Sequence, residues 1–170
     1  MSGPGVAGVV PYDERWTRDF EEIRDQLWPA VSAFAVRVDH VGSTAVPGLP
    51  AKPVIDVDVV LRQAEDVPRA VTALADLGYE HRGDLGILGR EAFSVLPGLP
   101  DHHLYVVVLD SPAHRDHLDL RDHLRTHPED AERYAAEKRR LAPLLATDRE
   151  AYVRGKAWLV QELLRAARRP

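Results

Sequence analysis

An apolar segment interrupted by two aspartates constrains the fold of this chain more than any other feature. Apart from the two aspartates, the segment PVIDVDVVL (53–61) has Val or Ile at nearly every position, which predicts a buried β-strand. Side chains two residues apart on a strand share a face and lie about 7 Å apart along it. Asp56 and Asp58 are therefore expected side by side, with Ile55, Val57 and Val59 facing the opposite way.

Two neighbouring carboxylates repel each other unless a cation lies between them. Carboxylate oxygens suit Mg²⁺, which proteins commonly hold with one or two carboxylates together with substrate phosphates. The pair thus predicts a site for Mg²⁺ or Mn²⁺. The alternative is a strand end whose acids face solvent or pair with arginines.

A glycine- and proline-rich loop precedes this strand. Residues 34–41 alternate as a strand and lead into GSTAVPGLPAKP (42–53). Gly42 allows close backbone approach, and Ser43 offers a hydroxyl and N–H donors at a turn, which together suit a phosphate. A Gly-Ser turn alone is common, but its position ahead of an Asp-x-Asp strand is much more specific.

The remaining pattern predicts an α+β fold: a mixed β-sheet flanked by helices, with a C-terminal helical segment. We expect a single domain over residues 1–170, with a sheet core at about 12–110 and a helical part at about 112–170. Predicted helices span 12–31, 66–77, 113–126, 129–145 and 148–168, and predicted further strands span 79–82, 91–96 and 103–110. Gly78 is expected to end the second helix and Asp148 to cap the last one.

Composition narrows the functional classes. The chain has no cysteine, which excludes disulfides, thiolate zinc sites and a cysteine nucleophile. The net charge of -5 argues against nucleic acid or an anionic membrane as partner. The amino terminus lacks a signal-peptide pattern and no run of 18 apolar residues occurs, so a cytoplasmic location is expected.

Charge is unevenly distributed along the chain. Residues 1–111 carry 9 basic and 17 acidic side chains, and residues 112–170 carry 13 and 10. An acidic part and a basic part of this kind could hold a metal and a polyphosphate between them, or the basic part could be only an arginine-rich helical surface. Because 19 of the 22 basic residues are arginine, the three lysines Lys52, Lys138 and Lys156 are candidates for specific anion contacts.

The stretch HVGSTAVPGLPAKPVIDVDVVL (40–61) closely resembles the GrpB family, a branch of the nucleotidyltransferase superfamily. The resemblance continues through HHLYVVV (102–108), RDHLRTHPEDAERYAAEKRRLA (121–142) and DREAYVRGKAWLVQELL (148–164). It implies a nucleotidyltransferase fold. Some family members are attached to dephospho-coenzyme A kinase, which implies a role near nucleotide or coenzyme A metabolism.

The resemblance also implies roles for individual residues. Gly42, Ser43 and Thr44 would bind the phosphates of ATP or another NTP, and Asp56 and Asp58 would hold the metal. The nucleotidyl group would pass to a small-molecule or protein acceptor. The alternative is a non-catalytic nucleotide- or coenzyme-binding module that regulates a coenzyme A-pathway enzyme. Basic residues expected near a triphosphate or an anionic acceptor are Lys52, Arg121, Arg125, Lys138 and Lys156.

The sequence departs from the superfamily where a third carboxylate is usual on a later strand. His103 and Tyr105 share one face of the strand there. We expect His103 to be catalytic or to ligate the metal, and Tyr105 to contact the nucleotide. Four explanations remain open: the metal is Mn²⁺ or Zn²⁺, His103 is the general base, catalysis has been lost, or His103 is a satisfied polar residue of the sheet. Asp84 and Asp101 are fallback third acids.

Overall fold

The computed structural model describes residues 8–94 and 96–170. The first seven residues of the expected domain, and Val95 of the predicted strand 91–96, lie outside the described residues. The strands are β1 (Ala35–Val41), β2 (Ile55–Leu61), β3 (His81–Gly83), β4 (Arg90–Phe93) and β5 (His102–Val108). The helices are α1 (Arg15–Val31), α2 (Val67–Asp76), α3 (Pro112–Thr126), α4 (Pro128–Leu141) and α5 (Arg149–Ala167).

The five strands form one mixed sheet in the order β1-β2-β5-β4-β3. β2 is antiparallel to β1 and parallel to β5, while β4 is antiparallel to both β5 and β3. The predicted α+β fold is confirmed. β2 therefore lies between β1 and β5, with a neighbour on each side to hold its side chains in register.

The two faces of the sheet differ in what covers them. One face packs on α1 and α2, and its core includes Ile55, Val57 and Val59 from β2. These three side chains are almost completely buried, at 0–1% exposed. The opposite face carries the aspartates of β2 and is covered in part by α3, which packs Ala113 on Val60 and Val107.

The C-terminal helices form a second layer with its own core. Leu124, Tyr134 and Leu159 from α3, α4 and α5 pack on Val46 and Leu49 of the loop between β1 and β2. This contact holds the Gly-Ser loop against the helices. The cleft between the loop, the aspartate face and the helices is where charged side chains from both layers meet.

Two predicted helix boundaries follow from local chemistry. Asp148 caps α5 by accepting a hydrogen bond from the Ala151 amide, and Gly78 follows α2 at φ 102°, as predicted. The predicted helix 129–145 ends early, at Leu141, and continues as a 3₁₀ turn over Ala142–Ala146. Pro143 accounts for the difference, because it has no N–H to donate to the carbonyl four residues earlier.

Among the described residues, no helix has the length and apolar character that crossing a bilayer requires.

Candidate functional site

The two aspartates of β2 lie on one face of the sheet, as the sequence predicts. In the parallel pairing with β5, Asp56 is opposite His103 and Asp58 is opposite Tyr105. Neighbouring strands lie about 4.8 Å apart, so four polar side chains form a compact group on this face. The side chain of Asp56 is 30% exposed, whereas that of Asp58 is fully buried.

Gly42 is held directly against Asp56. Its φ is +71°, a left-handed conformation that favours glycine. A Cβ at this position would collide with the carboxyl group of Asp56, lying 2.9 Å from its carbon. The missing side chain thus lets the backbone of the Gly-Ser turn approach the carboxylate closely. Ser43 begins the 3₁₀ turn Ser43–Ala45 and lines the cleft beside it.

Asp56 orients His103. Its Oδ1 lies 3.0 Å from Nδ1 of His103, so a proton on Nδ1 is donated to the carboxylate and Nε2 is left as the basic nitrogen. That nitrogen lies 3.4 Å from Nη2 of Arg149, at the start of α5. Nε2 therefore accepts from the Arg149 guanidinium, which must move away before this nitrogen can take a proton from a substrate.

Asp58 is bound by a histidine that the sequence analysis missed. Oδ2 of Asp58 lies 2.7 Å from Nδ1 of His117, on α3, while Oδ1 is buried with no hydrogen-bond partner among the described residues. Burial raises the pKa of Asp58, and the hydrogen bond with His117 only partly offsets this. Burial alone would lower the pKa of His117, but its bond to Asp58 and the nearby charge raise it.

Arg90 is a second residue that sequence reasoning missed. Its guanidinium lies over the ring of Tyr105, 4.4 Å from the ring centroid, and its Nε is buried with no partner in the described part of the chain. Burial raises the pKa of Tyr105 to about 12, so its hydroxyl stays protonated at neutral pH. The ring of Tyr105 thus holds the guanidinium of Arg90 beside the two aspartates.

The cleft contains two adjoining cavities. The inner cavity, of about 190 Å³, lies against α3 and is lined by residues that include Gly42, His117 and Arg121. The outer cavity, of about 490 Å³, extends towards the loop between β3 and β4 and towards α5. Both are lined by the same five residues at their junction: Ser43, Asp56, Arg90, Tyr105 and Lys156.

All three lysines of the chain line the outer cavity. Lys138 is buried, and its Nζ donates a 2.5 Å hydrogen bond to the carbonyl of Pro50. Burial, together with the charge of Lys156, lowers the pKa of Lys138 to about 7. Burial also acts to lower the pKa of Lys156, but Tyr134, Tyr152 and Asp56 outweigh it and raise that pKa.

Other predicted site residues have structural partners. Arg125 donates from Nε to the carbonyl of Ala45 and lines neither cavity of the cleft. Arg121 lines the inner cavity while donating to the carbonyl of His40. Thr44 lines the outer cavity and bonds Nε2 of His40 at 2.9 Å through Oγ1. These bonds fix the turn that follows β1.

The fallback acids and the three-residue ligand set are not brought together. Neither Asp84 nor Asp101 lines the two cavities, and Asp84 accepts a hydrogen bond from the Gly86 amide in its own loop. Within residues 8–94 and 96–170, no three His, Asp or Glu side chains are grouped closely enough to hold a metal ion. Asp56, Asp58 and His103 are therefore not a preassembled ligand set, because a hydrogen bond joins Asp56 to His103 and another joins Asp58 to His117.

The two aspartates nevertheless fit a cation that takes its remaining ligands from a substrate. The buried Oδ1 of Asp58 has no partner in the described residues, and Asp56 faces the junction of the cavities. Two carboxylates with phosphate oxygens form the kind of oxygen set that Mg²⁺ takes at nucleotide sites. A cation here would also offset the cost of burying Asp58 as a charged group.

Comparisons with known proteins agree with this fold. A family model described as GrpB protein matches residues 7–166. A UPF0157 protein of Pseudomonas aeruginosa is 39% identical over 92% of this chain, which spans 65% of that relative's length. The crystal structure of the conserved protein GrpB from Enterococcus faecalis has a TM-score of 0.82 and 30% identity, covering 94% of this chain and 96% of that one.

Two more distant matches extend the comparison. The structure of the GLD-2/RNP-8 complex has a TM-score of 0.54 at 19% identity, covering 91% of this chain and 60% of that one. At that identity the likeness shows the fold alone, which is nucleotidyltransferase-like. The dephospho-CoA kinase of Mycolicibacterium paratuberculosis is 30% identical over 85% of this chain, which spans 42% of that enzyme's length.

Proposed function

We propose that this chain, which belongs to the GrpB family, binds a nucleoside triphosphate together with Mg²⁺ or Mn²⁺ and transfers the nucleotidyl group to an acceptor. The observation that carries the proposal is the pair Asp56 and Asp58 on one face of β2, with the backbone of Gly42 held against Asp56. The buried, partnerless oxygen of Asp58 supports a cation at this place. The cation would stabilise negative charge on the phosphates.

The cleft supplies the contacts that a triphosphate needs. The turn at Gly42 and Ser43 offers close backbone approach, while Arg90, Arg121 and Lys156 line the inner cavity beside it. Cations in a partly enclosed site bind phosphate oxygens more strongly than at the surface. The phosphates are therefore assigned to the inner cavity and to its junction with the outer one.

The proposed reaction needs a nucleophile, a leaving group and a base, and this chain supplies the base. The acceptor hydroxyl attacks the α-phosphorus, a new oxygen–phosphorus bond forms, and the bond to the β-phosphate breaks as pyrophosphate leaves. His103 takes the proton of the hydroxyl at Nε2 once the Arg149 guanidinium has moved off that nitrogen, because its Nδ1 is committed to Asp56. Asp56 thereby orients the base as well as facing the phosphates.

A second candidate function is a non-catalytic module that binds a nucleotide or a coenzyme. Among the described residues that line the two cavities, Asp56 is the one carboxylate, and Asp58 is bonded to His117 behind it. A site without a third carboxylate favours binding over catalysis. The similarity to a dephospho-CoA kinase supports coenzyme A metabolism as the setting of such a module.

One experiment separates these functions. ATP labelled at the α-phosphate, with Mg²⁺ or Mn²⁺, should give a labelled acceptor and pyrophosphate, and D56N and D58N should each abolish this. The matched control is D76N, because Asp76 is exposed at the end of α2 and lines neither cavity. Nucleotide at 100 times its Kd should stabilise the native protein by about 2.7 kcal/mol.

The outcomes are distinct. Nucleotide-dependent stabilisation without turnover over a broad set of acceptors would identify the binding module. If no nucleotide raises the Tm of the protein, with or without metal, both functions are contradicted. If D56N and D58N bind nucleotide as the wild type does, the two aspartates do not bind a metal that the nucleotide requires.

A further inference from the structure

The outer cavity has basic side chains that lie away from the proposed position of the nucleotide phosphates. Lys52 and Arg149 line the outer cavity and not the inner one. Neither forms an ion pair with a carboxylate within the described residues, and the nearest polar partner of Arg149 is the imidazole of His103. Both side chains line the same cavity, and burial and the charge of Arg149 lower the pKa of Lys52.

The charges of Asp56 and Asp101 act on Lys52, but they do not outweigh burial and the charges of Arg149 and Lys156. Asp56 is the one acid among the described residues that line the outer cavity, and it faces the cation and phosphate position assigned above. Two cations held near each other beside a cavity favour an anionic ligand, since each is stabilised by an opposite charge. An ammonium group at the same place would meet Lys52 and Arg149 and be repelled.

The mouth of the outer cavity is apolar. Leu85 and Ile87 lie in the loop between β3 and β4, and they are 65% and 44% exposed. Val153, on α5, is 52% exposed and lines the same cavity, as does Leu145. Exposed apolar side chains that converge on one cavity, with a few charged groups deeper inside, are typical of a small-molecule site.

We infer that the outer cavity binds the acceptor, and that the acceptor is a small amphipathic anion. Its carboxylate or phosphate contacts Lys52 and Arg149, and its apolar body packs on Leu85, Ile87 and Val153. The inference rests on the proposed function in naming this ligand the acceptor, whereas the binding itself requires no nucleotide. Ligand charge and apolar length then determine which acceptors are used.

The test uses the full chain without nucleotide and measures binding by isothermal titration calorimetry. The ligands are octanoate and octyl phosphate, with octylamine and octanol as controls of the same length. Octanoate or octyl phosphate should bind, and the two controls should bind at least about tenfold more weakly, because a charge-assisted hydrogen bond is lost. The tighter of the two anions identifies the head group.

Variants locate the ligand. R149M should weaken binding of the anions at least about tenfold. R154M is the matched control, since Arg154 lies on the same helix, is exposed and pairs with Glu150. V153S should weaken octanoate more than it weakens butyrate, because only the longer chain reaches the apolar mouth. Arg149 and Val153 are exposed, so these substitutions leave the fold intact.

Equal binding of octylamine or octanol would overturn the inference, as would anion binding that R149M leaves unchanged. The third contrary result is no anion binding at about 10 mM ligand, a concentration at which a binding free energy of only about 3 kcal/mol is still measurable. The proposed function fails separately. Anion binding that persists in a chain which binds no metal–nucleotide complex would leave the anion site in place and remove the nucleotidyl transfer.

Discussion

At the scale of single residues, the two aspartates have different environments although they lie two positions apart. Asp58 is fully buried and bonded to His117, whereas Asp56 is 30% exposed and faces both cavities. A buried carboxylate with one partnerless oxygen is costly unless something binds that oxygen. Asp58 is therefore suited to anchoring a cation, and Asp56 to contact with ligands in the cleft.

The close contact of Gly42 with Asp56 predicts a large effect for G42A. The alanine would be held at a left-handed φ, and its Cβ would collide with the carboxylate of Asp56. The free energy of unfolding should therefore fall by about 2–4 kcal/mol. The control is G48A, because Gly48 has φ +80° with open space around it and should lose only about 1–2 kcal/mol. Urea unfolding of both variants measures the difference, and equal losses would contradict the close contact.

The sequence supports the local parts of this site and not the distant ones. Asp56, Asp58 and the Gly-Ser turn are recognisable because strand alternation and turn chemistry are local. His117 meets Asp58 across 59 residues of chain, and nothing in the helical pattern of HRDHLDLRDHL distinguishes this histidine from its neighbours. Arg90 and Arg149 were missed for the same reason, since their roles depend on tertiary packing.

At the scale of elements, the packing of α5 against the end of α4 depends on a glycine. A Cβ at Gly155 would lie 2.7 Å from Cδ2 of Leu141, which is 5% exposed. The missing side chain lets α5 approach the end of α4. This contact positions Lys156, the next residue along α5, at the junction of the two cavities.

A double-mutant cycle tests this contact. Alanine at position 155 gains up to about 1 kcal/mol of helix propensity but meets the side chain of Leu141, so G155A should destabilise the native protein. In the L141A background the collision is absent, and G155A should become neutral or stabilising. A coupling free energy of about 1 kcal/mol or more is expected from thermal or urea unfolding. Additive effects would show that the helices do not meet at Gly155.

Element boundaries show where sequence patterns are sufficient. The caps at Ser111 and Asp148 and the glycine after α2 depend on neighbouring residues, and all three are at the positions that their chemistry favours. The early end of α4 was also encoded locally, by Pro143, but the apolar spacing beyond it masked the break. Helical periodicity alone does not distinguish an α-helix from a helix that continues as a 3₁₀ turn.

At the scale of the whole molecule, the cleft joins the two layers and draws charge from both. Asp56, Lys52 and Arg90 come from the first two thirds of the chain, and Lys138 and Lys156 come from the helices that follow. The division into an acidic and a basic part is therefore only an approximate guide to the site. What matters is that the helical layer places its lysines opposite the aspartate face.

Lys138 links these layers through Pro50, and its burial predicts a pH-dependent stability. Its pKa is about 7 in the native protein against 10.5 ordinarily, so between these values the unfolded chain binds more protons than the native one. Stability should then rise with pH, by up to about 1.4 kcal/mol per unit between pH 8 and 9.5. K138M should remove this contribution from the slope measured by urea unfolding.

The companion variant for Lys138 is K156M. Because the pKa of Lys156 is raised, its own contribution is fully present below pH 10.5 and is lost only as the pH rises through the native value. K156M also removes a positive charge that lowers the pKa of Lys138, so the rise in stability with pH should begin at higher pH than in the wild type. Identical slopes in the wild type and K138M would mean that Lys138 is not buried against Pro50 in solution.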